Sequence, residues 1–499
     1  MRPTTLLTVL LLAFCALLLF AHLDDHGLEL YDEGRRAVSS LEMSRGESHW
    51  LVPTYAGEPD HWGTKPPVLI WVQAAFTKIL GPGELPVRLP AALATLLLIG
   101  LLTWWGKRDW GSPLAGALAG FVLILNWQFM GTHGARSGDY DALLVLFQMG
   151  QVVAFYQWAK EAETKWLLLA ALAVFLAGMT KGVAGGFLLP GIGLWMLTRS
   201  DRWELLRRPS LYVFIGGAIA LVVGYYFLRE SYDPGYLELV RNNELGGRFV
   251  DASEGHDQPW YFYLQSLATD PGWRTFFLFV PAAYLLCLSE PKLRSAATLC
   301  LLAGAGALAV VSLSATKIYW YQSPALPPLA MLLGAGGIYY SLSYLMRKLG
   351  RRKGAVVLIA VVFGVFTNPV IEVWDRVFHP REHQSDNARR KSVHRGFMRS
   401  PEVVPPYTVV VDNYNPPARY AVEVLRRTGA EVGFKHVGTI NPPVVVTQRR
   451  PDEFGVGERV VLCDGKSWEY LFRRFELDVL VDEGRCKLVV LGARRLAEK

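Results

Sequence analysis

Asp32 stands three residues before Arg35 and four before Arg36, with Glu33 beside it. If YDEGRRAVSSLEM is helical, that spacing puts Asp32 and both arginines on one face. Lys65 follows in the same polar segment, directly before a Pro-Pro pair. A carboxylate held beside fixed cations can orient or deprotonate a hydroxyl next to a bound phosphate, an effect worth about 10²–10⁴ in rate. The cations themselves bind phosphate through charge-assisted hydrogen bonds. Ordinary ion pairs on a solvated helix would use the same residues. Their place in the chain favours the chemistry.

Four further stretches carry polar groups at the edges of apolar runs. GTHGARSGDYDALLVLF brings Arg136, Asp139 and Asp141 to the start of such a run. Charge is costly there unless it faces a cavity or water, although Asp139 and Asp141 also suit the first turn of a helix. In LAGMTKGVAGGFLLP, Lys181 interrupts an apolar stretch; it can line a cavity or snorkel to an interface. NNELGGRFVDASEGHDQPWYFYL holds His256 next to Asp257, and SLSATKIYWYQSPALPPLA holds Lys317 and Tyr321. One His beside one Asp is a weak metal signal. Together these acids, lysines and aromatics suit transfer of a group from a lipid phosphate, with Lys and Arg neutralising the phosphate as it leaves.

The chain has 499 residues, 52% of them hydrophobic and 19% charged, fewer charges than a soluble protein carries. Apolar runs fall near 4–21, 86–106, 113–130, 141–159, 166–180, 182–198, 209–228, 273–288, 295–313, 324–346 and 354–370. Each approaches the length that crosses a bilayer core. The expectation is a polytopic α-helical membrane protein of about eleven spans, as many as thirteen where runs abut, with the first run retained rather than cleaved. Basic residues mark alternate short loops: Lys107 and Arg108; Lys160 and Lys165; Arg199, Arg202, Arg207 and Arg208; Lys292 and Arg294; and MRKLGRRK from Met346 to Lys353. The positive-inside rule then sets the N-terminus in the cytoplasm and the loops 22–85 and 229–272 outside. The net charge of +7 is largely this bias, and a nucleic-acid partner gains nothing from it.

The expected organisation is a transmembrane domain, 1–370, and an external C-terminal domain, 371–499. HPREHQSDNARRKSVHRGFMRSP reads as a linker; YTVVVDN, PPVVVTQ, RVVLCDG and CKLVVLGARR read as strands, PPARYAVEVLRRTG and SWEYLFRRFE as helices. That is a small α/β domain, suited to a lid, an acceptor-binding role or a stabilising module. Cys463 and Cys486 fall on adjacent strand segments, and a disulfide between them suits an oxidising compartment. Cys15, Cys287 and Cys300 read as small apolar residues.

In order along residues 25–335, the segments YDEGRRAVSSLEM, WLVPTYAGEPDHWGTKPPVLIW, ELPVRLPAAL, RSGDYDALLVLF, GMTKGVAGGFLLP, EGHDQPWYFYL and SATKIYWYQSPALPPLA resemble the bacterial lipid-linked-sugar transferases of the GT-C class. The likeness is greatest to the 4-amino-4-deoxy-L-arabinose transferases of lipid A, relatives of the dolichyl-phosphate-mannose protein mannosyltransferases. The resemblance implies a bacterial inner-membrane glycosyltransferase that takes a sugar from an undecaprenyl-type phosphate and passes it, with inversion, to lipid A or another lipopolysaccharide component at the periplasmic face. A protein or glycan hydroxyl is the alternative acceptor. It implies Asp32 as the catalytic acid, with Glu33 beside it, and Arg35 and Lys65 on the donor phosphate. Lys181 and Asp141, with Asp139 as rival, would line the same cavity, and Arg136 and Lys317 are further cations of the substrate site. His256 falls where the family can carry a metal-site histidine, and Tyr321 matches an active-site tyrosine. The chain departs from the family in having Thr64 where an acid commonly precedes KPP, so no metal is assigned and no cofactor is required. Arg36 and Gly34 are further departures. A transporter of lipid-linked sugars would instead gather its polar residues at the bilayer midplane, and a scaffold would leave Asp32 and Lys65 replaceable.

Overall fold

The computed structural model describes residues 3–28, 31–246, 256–379, 393–412, 414–438 and 452–495. The chain forms two compact units. The first comprises Met1–His22, Thr64–Leu69 and Arg88–His379, the second Leu23–Gly63, Ile70–Val87 and Pro380–Lys499.

The first unit is helical. Six helical segments among the described residues are long and apolar enough to cross a membrane: Glu84–Asp109, Asp141–Glu161, Thr164–Gly186, Pro209–Tyr232, Pro291–Leu313 and Tyr319–Gly350. Shorter apolar helices include Thr4–Phe20, Pro113–Ile124 and Leu189–Thr198. These helices are apolar nearly all round rather than along one stripe, as lipid neighbours require. Within the apolar part of Asp141–Glu161, 83% is buried, against 11% for Pro209–Tyr232, so the former is central and the latter peripheral. Helices approach closely where side chains are small: a Cβ on Gly116 would meet the backbone of Leu102, and one on Gly191 that of Leu302. Trp105, Trp158, Trp195 and Trp273 fill the interior, with Trp273 Nε1 donating to Val122 O at 2.7 Å. The long Tyr340–Phe378 helix breaks at Gly350, whose φ of 77° a residue with a Cβ rarely adopts.

Charged pairs mark one end of this bundle. Lys160 Nζ donates to Asp109 Oδ1 at 2.6 Å, and Arg108 pairs with Glu161. The Asp141–Glu161 helix has 21 residues, so Asp141 lies about 30 Å from that end. That is the thickness of a bilayer core. The fold is that of a multi-pass membrane protein.

The second unit holds a short two-stranded sheet, β1 (Thr54–Tyr55) and β2 (Glu58–Pro59), and a five-stranded one: β3 (Tyr407–Val411), β4 (Val432–His436), β5 (Arg459–Leu462), β6 (Phe475–Asp482) and β7 (Lys487–Arg494), in the order β4-β3-β5-β7-β6. β4, β3 and β5 run parallel, while β7 is antiparallel to both β5 and β6. Val409 and Val411 point into one core and Val410 into the other, so both faces are covered and the strands read as unbroken apolar runs. A disulfide joins Cys463, after β5, to Cys486, before β7. The expected strand PPVVVTQ and most of the linker lie outside the described residues. β4 and β6 do not stand out in the sequence; FELDVLVD runs on from a helical pattern, and its largely exposed burial marks an edge strand.

The helix Tyr31–Ser44 packs in this unit against the helix Pro416–Arg426. Their contact explains Gly34. A Cβ there would lie 2.7 Å from Pro417 N and 2.9 Å from Pro416 C, too close to backbone to be relieved. Tyr420 closes the same interface, packing with Leu28, Ala37, Val38 and Leu41 while its hydroxyl donates to Gly83 O at 2.9 Å.

Candidate active site

In the first unit, side chains from five separate segments line one cavity. Lys65, Asp141, Lys181, Glu244, Ser314 and Tyr321 bring polar groups to it, and Leu144, Val183, Phe187, Val311 and Pro324 give it apolar walls. It lies at the end of the bundle away from Lys160.

Asp141 opens its helix, and Lys181 closes the neighbouring one. Lys181 Nζ donates to Asp141 Oδ1 at 2.5 Å. The other carboxylate oxygen, Oδ2, is buried without a hydrogen-bond partner among the described residues. A buried carboxylate left half-satisfied is unfavourable, and Oδ2 is placed to take a hydrogen bond from a bound molecule. The chain turns sharply after Lys181 because Gly182 adopts φ 58° and ψ −130°, a conformation essentially confined to glycine. Tyr321 lies with its ring 5.5 Å from Lys181 Nζ, a cation–π distance.

Lys65 ion-pairs with Glu244, whose other oxygen accepts from Thr64 Oγ1 at 2.5 Å. Tyr236 donates its hydroxyl to Thr64 O at 2.7 Å, and the buried Arg229 guanidinium stacks 3.9 Å from the Tyr236 ring. Thr64 thus receives from elsewhere in the chain the carboxylate its own position lacks.

The remaining residues singled out in the sequence take other places. Asp139 pairs with His133, which stacks on Trp320 with ring centroids 3.9 Å apart. Arg136 donates to the carbonyls of Leu18, Leu19 and Ala21 at 2.7, 2.9 and 2.7 Å, capping the C-terminal end of the first helix. Lys317 Nζ is buried and donates to Ser314 O at 2.7 Å. The backbone carbonyl of His256 accepts from Lys317 N at 3.1 Å.

The second unit holds Asp32, Glu33 and Arg35. Asp32 is 39% exposed at its side chain and lies 3.8 Å from Arg36, the i,i+4 partner its spacing predicts. Glu33 is buried. Arg35 is also buried: Nε donates to Asp60 Oδ1 at 2.7 Å and Nη1 to the Tyr414 hydroxyl at 2.8 Å, between the rings of Tyr55 and Tyr414. The sequence reading passed over His133 and Glu244. His133 lay unremarked inside the GTHGARSGDYD run, and nothing in NNELGG shows a partner 179 residues away.

The fold itself has known counterparts. It aligns over 98% of both chains, with a TM-score of 0.72 and 17% identity, with the crystal structure of ArnT from Cupriavidus metallidurans bound to undecaprenyl phosphate. It aligns less fully, at a TM-score of 0.52, with the archaeal oligosaccharyltransferase AglB from Archaeoglobus fulgidus in complex with an inhibitory peptide and a dolichol-phosphate. At these identities the likeness is one of fold. Residues 64–226, which carry Lys65, Asp141 and Lys181, match the dolichyl-phosphate-mannose-protein mannosyltransferase family. The chain is thus similar to these proteins in fold and, over residues 64–226, to that family in sequence.

The chain is 30% identical over 328 residues to the undecaprenyl phosphate-alpha-4-amino-4-deoxy-L-arabinose arabinosyl transferase of Pseudomonas savastanoi pv. phaseolicola, covering 65% of this chain. It is 28% identical over 370 residues to one of Pseudomonas fluorescens, covering 72% of this chain. The aligned regions span 60% and 64% of those two relatives.

Proposed function

We propose that this protein transfers a sugar from an undecaprenyl-type phosphate to an acceptor at the periplasmic face of the bacterial inner membrane. Aminoarabinose is the sugar and lipid A the acceptor that the relatives' names and the ordered motifs favour. One observation carries the reading most: two lysines and two carboxylates converge on one cavity at one end of a bundle of membrane-length helices. A phosphate carried on a lipid reaches such a place from the bilayer. A midplane transport site does not put its charges there.

In this reading Lys65 and Lys181 bind the carrier phosphate and stabilise the charge that grows on it as the anomeric bond breaks. Asp141, steadied by Lys181, accepts a hydrogen bond from the sugar or the acceptor through Oδ2. Asp32 orients the acceptor; its partial exposure and its pairing with Arg36 support that role. Arg35, engaged by Asp60 and Tyr414, holds the helix that carries Asp32. In this reading the chain crosses the membrane an odd number of times from a cytoplasmic N-terminus and residues 371–499 lie outside, which the Cys463–Cys486 disulfide supports.

The test is expression in a host that lacks such transferases but makes the lipid-linked aminoarabinose donor, followed by mass spectrometry of lipid A. A pentosamine increment with wild type, absent with Lys65→Ala, is the expected result. No increment from folded wild type sinks the assignment of sugar and acceptor.

A further inference from the structure

Lys65 does not wait in the cavity with its charge unanswered. Glu244 already holds it, and the same carboxylate takes the hydroxyl of Thr64 through its second oxygen. Lys65 and Glu244 are only 16% and 19% exposed, so the pair is shielded more than a surface contact. Glu244 reaches this position from a six-residue π-helical turn, Arg241–Gly246, an irregular geometry often found where function requires it.

Among the charged groups lining the cavity, Lys65 and Lys181 balance Asp141 and Glu244. A phosphate that binds Lys65 therefore enters a site already neutral. Phosphate and carboxylate oxygens compete for the same ammonium, and two unit negative charges about 4 Å apart repel by roughly 4 kcal/mol at an effective dielectric of about 20. That repulsion disfavours sharing Lys65 at short range and favours displacement of one anion by the other.

We propose that Glu244 is an exchange ligand for Lys65, yielding it to the incoming donor and reclaiming it to expel the spent carrier; this rests on the sugar-transfer reading above. The donor is a phosphodiester with one negative charge. In the transfer the acceptor oxygen forms a bond to the anomeric carbon while the bond from that carbon to the phosphate oxygen breaks. The phosphate oxygen keeps the electron pair, and the proton of a hydroxyl acceptor passes to a carboxylate and then to solvent. The carrier is left as a phosphate monoester, which bears about −1.5 to −2 at neutral pH. Lys65 and Lys181 hold this product more strongly than the donor. Without a competing anion the site traps its own product. Glu244 is a positioning residue: it acts on Lys65, not on the sugar.

The experiment measures binding of undecaprenyl phosphate to the full-length protein in lipid nanodiscs, for wild type, Glu244→Gln, Glu244→Asp and Lys65→Ala, with kcat and KM for transfer alongside. Glu244→Gln is expected to bind the carrier about tenfold more tightly, corresponding to about 1.4 kcal/mol. Its KM and kcat should both fall and product inhibition should set in earlier, while Glu244→Asp keeps the wild-type pattern. Equal or weaker carrier binding by Glu244→Gln, with Lys65→Ala showing lost binding, overturns the proposal and leaves the sugar-transfer reading standing. If no variant and no wild type binds the carrier, the reading falls and the proposal falls with it.

Discussion

At the scale of single residues, the Asp141–Lys181 pair separates catalysis from folding. Asp141→Asn removes the charge but keeps the shape, and should cost about 10²–10⁴ in kcat per folded molecule, while leaving the buried Lys181 ammonium without its counter-charge. Lys181→Met alone leaves a buried carboxylate unpaired, a change that costs about 3–5 kcal/mol. Combined with Asp141→Asn it should recover stability but not activity. Thermal unfolding and transfer rates measured together check both halves; recovery of activity in the double variant would refute the assignment. This pair was within reach of sequence reading because a lysine and an aspartate at the ends of apolar runs have few reasons to be there. Arg136 and Lys317 show the limit of that logic. Both are charges at run ends, yet one caps the carbonyls of the first helix and the other bonds Ser314 O. Composition cannot tell a helix cap from a substrate contact.

A second residue gives a pH dependence. His394 in the second unit is 2% exposed, and neither ring nitrogen has a hydrogen-bond partner among the described residues. Burial pushes its pKa down to about 4. Above pH 6.5 the ring is neutral folded or unfolded and adds nothing to the slope. Below that the unfolded chain takes up the proton first, so stability falls until the folded pKa is reached. Between about pH 7.5 and about pH 5 the loss should be about 2 kcal/mol. Hydrogen exchange across β3 follows it, and His394→Leu should flatten this part of the pH profile. An unchanged slope would mean the imidazole is not buried uncharged.

At the scale of elements, Gly34 sets two effects against each other. Replacing it with Ala raises helix propensity by about 1 kcal/mol, and on that ground alone should stabilise the helix Tyr31–Ser44. The Cβ, however, would press on the backbone of Pro416 and Pro417. Contact with rigid backbone outweighs propensity, with an expected net loss of about 1–3 kcal/mol. Limited proteolysis around residues 414–417 measures it, and a more resistant Gly34→Ala would show that the two helices do not pack as described. In the sequence Gly34 is only a poor helix former; its reason lies almost 400 residues further on. Gly182 was more legible, because a glycine directly after a charged residue at the end of an apolar run marks a turn. β6 was hidden by a helical pattern that runs straight into it. Glu244 was hidden by distance: no periodicity connects a π-helical turn to a lysine in another loop.

At the scale of the whole molecule, the multi-pass membrane character was readable from hydropathy, because a bilayer leaves the chain few ways to satisfy its backbone; the described residues hold six helices long enough to cross one, fewer than the eleven runs expected. The joining of Leu23–Gly63 and Pro380–Lys499 in one compact unit had no sequence signal, since it depends on surfaces that only tertiary packing creates. The proposed function rests on both scales together: a bundle of membrane-length helices, and a polar cavity lined by two lysines. The most direct test uses purified protein in nanodiscs with undecaprenyl-phosphate aminoarabinose and lipid A as the sole substrates, following product by mass spectrometry. Wild type should convert lipid A to its aminoarabinose adduct and release undecaprenyl phosphate in equal amount, while Asp141→Asn retains donor binding with product formation lowered about a hundredfold or more. Donor that stays chemically intact in the presence of folded wild type, or an Asp141→Asn rate equal to wild type, would contradict the account.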